Sequence, residues 1–147
     1  MISQALAMQL KDAGLVWHTS VHDFFAIPDR DLDGRIFVLS DMMVTMELLR
    51  GWPAVVFHGT AEWAQDYLLT HEAVWLPTES QVRAKLEEEL AVRNGRFHQL
   101  LRLPDGYQCD VSLDGEPLAF TAVSASDAYG QALLHLLTQP LSTLNEV

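Results

Sequence analysis

Cysteine is almost missing from this 147-residue sequence. The one instance, Cys109, can form no internal disulfide and cannot by itself build a zinc ribbon or a redox pair, so a reducing compartment is expected. Positive charge is also scarce. Nine Lys and Arg stand against 20 Asp and Glu, and a net charge of −11 repels a duplex phosphate backbone. Direct nucleic-acid binding is therefore not expected, although an acidic chain can mimic DNA or dock on a basic partner, and such charge also serves solubility. No apolar run approaches the roughly 18 to 20 residues that a membrane span requires. Residues 1–14 mix Gln, Lys and Asp into positions where a secretory signal has a continuous apolar core. A cytoplasmic protein with no membrane association is expected. A Gly-x-Ser-x-Gly elbow, a Gly-rich phosphate loop, internal repeats and a Gly/Ser linker are all lacking, which leaves a hydrolase triad or phosphate cradle without local support.

What the chain does have is apolar residues, 49% of the total, enough for one ordinary domain with its own core. Ser3 suits an N-cap, and Leu6, Leu10 and Ala13 recur at helical spacing before Gly14, predicting a helix over 3–13. Residues 17–27 and 35–39 are aromatic and β-branched around an acidic turn and read as a hairpin or two adjacent strands. Residues 42–49 are ambiguous, since Met43, Met46 and Leu49 suit a helical face while Val44 and Thr45 favour a strand. After Gly51 and Pro53, residues 54–57 read as a buried strand. Gly59 and Thr60 then open a helix whose Trp63, Tyr67 and Leu68 share a face, and 74–76 returns to extended chain.

Thr78 followed by Gln81 fits a capping box, and Val82, Leu86 and Leu90 draw a narrow apolar stripe beside Glu87, Glu88 and Glu89. That amphipathic helix ends near Asn94 and Gly95. Residues 97–103, 107–113 and 118–123 follow as a three-stranded meander, divided by Pro104-Asp105-Gly106 and Asp114-Gly115. Ser124 or Ser126 caps a last helix with Ala128, Ala132, Leu133, Leu136 and Leu137 on its apolar face, stopped by Pro140 ahead of a polar tail. The expected fold is a single α+β domain over 1–147, a mostly antiparallel sheet with helices on one face and a C-terminal βββα unit over 96–138. If an internal boundary exists, it falls at 94–95.

The stretch 97–137, with its Asp105-Gly106-Tyr107 turn and the run Ser124-Ala-Ser-Asp-Ala-Tyr129 into an Ala/Leu helix, resembles the βββα unit of HicB-like and small phage-associated proteins. That resemblance implies one helix across a three-stranded sheet and a role as antitoxin or regulatory partner. Leu10-Lys-Asp-Ala-Gly-Leu-Val-Trp17, Phe24-Phe-Ala-Ile-Pro28 and Glu72-Ala-Val-Trp-Leu-Pro-Thr-Glu79 resemble a group of small uncharacterised proteins from bacteria related to bacilli. This second resemblance implies no activity.

Two local patterns carry metal chemistry in outline. Asp29, Asp31, Asp33 and Gly34 match the first half of a calcium loop, but the twelfth position, where a bidentate Glu belongs, is Ser40, and the flanks are extended rather than helical. An acidic turn accounts for the same residues. His18 and His22 stand four apart beside Asp23, a spacing that converges on a metal only in a helix, where this segment reads as extended. His58, His71, His98 and His135 are scattered over different elements. Cys109 stands next to Asp110, whose charge raises a thiol pKa, and reads as a sheet cysteine rather than a nucleophile. The carboxylate pairs Glu62 with Asp66 and Glu87 with Glu88 read as solvated helix faces. Of the four tryptophans, Trp17, Trp63 and Trp75 read as core, while Trp52, in a turn between Gly51 and Pro53, is the one expected to be exposed; if one ring marks a partner surface, it is Trp52.

No catalytic, cofactor or metal residue is assigned on these grounds. The expected function is a non-enzymatic protein-binding or regulatory module with a protein partner or a second copy of itself. The alternatives are a small calcium- or zinc-dependent protein or enzyme, and an acidic antitoxin or DNA mimic.

Overall fold

The computed structural model describes residues 1–28, 35–39, 44–49, 51–57, 67–69 and 72–139; over 44–49, 54–57 and 67–69 it describes the course of the backbone. The chain is α+β, and the elements run α1 (Gln4–Asp12), β1 (Phe24–Ala26), β2 (Phe37–Val38), β3 (Val44–Leu49), β4 (Trp52–Phe57), β5 (Tyr67–Leu69), β6 (Val74–Trp75), α2 (Glu79–Ala91), β7 (Gly95–Leu103), β8 (Gly106–Leu113), β9 (Glu116–Ala122) and α3 (Ala125–Thr138). They group into two compact units, Met1–Leu15 with Pro77–Val147, and Val16–Leu76. Asn94 and Gly95 lie inside the first of these, between α2 and β7.

In the first unit each helix begins at a side chain that captures an orphan amide. Ser3 Oγ accepts from Leu6 N, Ser124 Oγ accepts from Asp127 N, and Thr78 with Gln81 forms the full reciprocal capping box. Ser124, not Ser126, is the cap of α3; Ser126 is buried within the helix. At the other end of α1, Gly14 N donates to Lys11 O and Leu15 N to Leu10 O, so two carbonyls left over by the helix are satisfied by the turn that ends it.

Strands β7, β8 and β9 form an antiparallel meander with β8 in the middle. Its second turn places Asp114 at φ 51° and Gly115 at φ 82°, the double left-handed geometry of the two-residue turn that matches strand twist. Helix α2 packs on α3 and β7, and α3 packs on β8 and β9, so one face of the sheet is covered. Val82, Leu86 and Leu90 from α2 are buried, as are Cys109 and Val111 from β8 and Ala128, Tyr129, Ala132, Leu133 and Leu136 from α3. Each large side chain in that set contributes roughly 1.5–3 kcal/mol by leaving water. Helix α1 packs on α3, where Gly130 permits the approach: a Cβ there would stand 2.6 Å from Leu6 Cδ2.

The Val16–Leu76 unit holds two further antiparallel sheets, ordered β2-β1-β6 and β3-β4-β5. Phe25, paired with Phe37 on one side and Trp75 on the other, is buried with Ile27, Leu39 and Ala73, and the Trp17 and Phe37 rings lie 5.4 and 5.5 Å from its own. The ambiguous segment at 42–49 is strand from Val44 onward, because residues 44–49 find a full-length partner in β4. The expected adjacent strands are present but shorter, Phe24–Ala26 and Phe37–Val38. The helix expected from Gly59 and Thr60 is corrected at its end: Tyr67 and Leu68 are strand, paired with Val56 and Val55, and this pairing outweighs their helical spacing from Trp63. Residues 58–66, with Glu62, Trp63 and Asp66, lie outside the described residues, as do Pro140 and the tail. No helix among the described residues is long and apolar enough to cross a membrane.

Candidate functional site

The β3–β4 hairpin closes tightly. Leu49 pairs with Trp52, leaving only positions 50 and 51 in the loop, and Gly51 adopts φ 83°. The geometry puts Trp52 on the first rung beside the turn, with Pro53 behind it, and leaves 57% of its surface in water. A tryptophan is the largest apolar side chain, and burying it in a partner yields more than any other single residue. Four more large apolar residues of the same unit, Val16, Val21, Ile36 and Val38, are also exposed. The turn flanked by Gly51 and Pro53 is the signal by which the exposed ring was legible in the sequence.

The two early histidines are placed differently from a metal site. His18 and His22 are both exposed, His22 sits at φ 76°, and Asp23 is 4% exposed. Asp23 Oδ2 accepts hydrogen bonds from Trp17 Nε1 and from Ser20 N, both at 2.9 Å. Its backbone is tied as well, Asp23 N donating to Ser20 O and Leu39 N to Asp23 O. The carboxylate thus clamps the turn that carries the chain from Trp17 into β1, and a buried charge held by two donors is the state in which burial is tolerated. Among the described residues no group of three His, Cys, Asp or Glu is close enough together to hold a metal ion. Asp29, Asp31, Asp33, Gly34, Ser40, His58 and His71 lie outside the described residues.

Cys109 is fully buried on β8, and burial first, then the Asp110 charge, pushes its thiol up to about 12. It is a core side chain and not an available thiolate. On the open face of the same sheet His98 Nε2 and Ser112 Oγ are 2.9 Å apart, a base and a hydroxyl in contact. The carboxylate that shares this face, Asp110, accepts instead from Gln99 and Gln108, so it does not orient the imidazole as a hydrolase triad requires. The consecutive acids of α2 each face a cation: Glu87 with Arg83, Glu88 with Lys85 and Glu89 with Arg93. Of the tryptophans expected in the core, Trp17 and Trp75 are partly buried, and Trp75 Nε1 lies buried with no hydrogen-bond partner among the described residues.

Comparison with known proteins finds no match among family models, curated proteins or solved structures.

Proposed function

We propose that this chain is a non-enzymatic cytosolic binding module that associates with a second copy of itself or with another protein through its Val16–Leu76 unit, with Trp52 as the central anchor. The observation that carries the reading is the 57% exposure of Trp52 on the first rung of a two-residue hairpin. A tryptophan side chain loses little conformational freedom on binding, and aromatic anchors of this kind dominate interface energies. Single exposed aliphatic residues occur in both units, Val16, Val21, Ile36 and Val38 here and Met1, Met8, Val92, Leu101 and Val123 in the other, so the reading rests on the Trp52 ring. The likeness of residues 97–137 to HicB-like regulatory partners points the same way.

Sedimentation velocity over a wide concentration range tests the self-association arm first. Wild-type chain is expected to form a concentration-dependent dimer that Trp52→Ala weakens by about tenfold or more while leaving thermal unfolding in place. If the wild type stays monomeric, quantitative capture from a native extract with Trp52→Ala as the matched control tests the other arm. A monomer whose captured proteins are the same for both variants overturns the reading.

A further inference from the structure

Helices α1 and α3 run side by side in the same direction. At their starts Ser3 N donates to Asp127 Oδ1 at 2.8 Å, and one turn on Leu6 packs at Gly130. Their C-terminal halves do not close on each other: between them lies a cleft of about 610 Å³, lined by Gln9, Asp12 and Ala13 of the first helix and its end, and by Gln131, Leu134, His135 and Thr138 of the second. Phe120 of β9 completes the wall, its ring 5.3 Å from that of His135.

Apart from His135, the charged groups described at this cleft have one sign. Two helices end at it together, and each brings the partial negative charge of its C-terminus, roughly half an elementary charge. Asp12 adds a full carboxylate at the last position of α1, where its own helix dipole disfavours an acid; Lys11 stands in the same turn but does not line the cleft. No Lys or Arg is among the described residues that line it, and the whole chain carries −11. A single carboxylate beside amides, a phenyl ring and Leu134 is a poor donor set for a divalent metal, which seeks several hard oxygens. It suits a cation with an organic body, which pairs with the carboxylate while its flat or aliphatic part lies on the aromatic ring.

We propose that the cleft between the C-terminal halves of α1 and α3 is a binding site for an organic cation, a guanidinium or primary ammonium group paired with Asp12 over the Phe120 ring. It belongs to a different unit from Trp52 and does not rest on the binding reading above. The misplaced acid gains a reason: Asp12 gives up a favourable helix end for a ligand contact.

The test is an amide NMR titration of the full chain with L-argininamide, and in parallel with a tetra-arginine peptide. Saturable shifts centred on Gln9, Asp12, Gln131 and His135 are expected, with affinity reduced about tenfold by Asp12→Asn and reduced also by Phe120→Leu. Asp12→Asn is expected to leave the melting temperature equal or higher, which separates lost binding from lost structure. A peptide that binds at least tenfold tighter than argininamide identifies a basic segment of another protein as the source; equal affinities identify a free small cation. Shifts spread over the acidic surface, or cleft shifts that Asp12→Asn leaves unchanged, would overturn the proposal.

Discussion

The two compact units bury apolar side chains with different resources. In Met1–Leu15 with Pro77–Val147, strands of nine, eight and seven residues pair with their neighbours in sequence and are covered by helices that each carry an N-cap. In Val16–Leu76 the described strands run from two to six residues, and the central β1 depends on β6, brought back from the far end of the unit. Local pairing is cheap in chain entropy and distant pairing is not. Both units leave five large apolar residues exposed among the described residues, Met1, Met8, Val92, Leu101 and Val123 in the first and Val16, Val21, Ile36, Val38 and Trp52 in the second. Only the second set contains an aromatic ring, and Trp52 is where the proposed association is placed.

The largest effect that can break this comparison is expected from Phe25→Ala, which empties the centre of the second core at a cost of about 3–5 kcal/mol. In urea unfolding followed by residue-resolved NMR, signals from 16–76 are expected to be lost at lower denaturant than those from 95–138; one shared transition for both would erase the distinction between the units. A smaller effect, confined to alkaline pH, belongs to the first unit. The Cys109 thiol is raised from an ordinary value near 9 to about 12, so the folded chain holds this proton more tightly than the unfolded one. Its stabilising contribution is complete below about pH 9 and is lost as pH climbs toward 12. Cys109→Ala is accordingly expected to flatten the fall of stability across that window in chemical denaturation, and native Cys109 to resist alkylation at pH 8. A Cys109→Ala profile parallel to the wild type would remove the thiol from the account. The smallest effect is that of Thr78→Ala, about 1 kcal/mol through loss of the capping box that starts α2, read from the same denaturation curves.

The same contrast governs what was legible in the sequence. Thr78 with Gln81, Ser124, and Asp114 with Gly115 announce their caps and turn because each signal is completed within three residues. Tyr67 and Leu68 mislead because their spacing from Trp63 mimics a helix, and only the β4 partner, invisible in a local window, makes them strand. Asp23 is legible only as a neighbour of two histidines in an extended segment, and its partner, the Trp17 indole six residues back, is not revealed by periodicity. The α1–α3 cleft depends on residues more than a hundred positions apart; its one sequence trace is Gly130 inside a helix, a placement about 1 kcal/mol worse than Ala unless something must come close.

Hydrogen exchange of the full chain, compared residue by residue between dilute and concentrated solution, decides whether the chain associates through Trp52. Amides around the β3–β4 hairpin, residues 44–57, are expected to gain protection on concentration and to lose that gain in Trp52→Ala, while β7–β9 and α3 exchange alike in both. Gained protection confined to β7–β9, or a gain at 44–57 that survives Trp52→Ala, would contradict it.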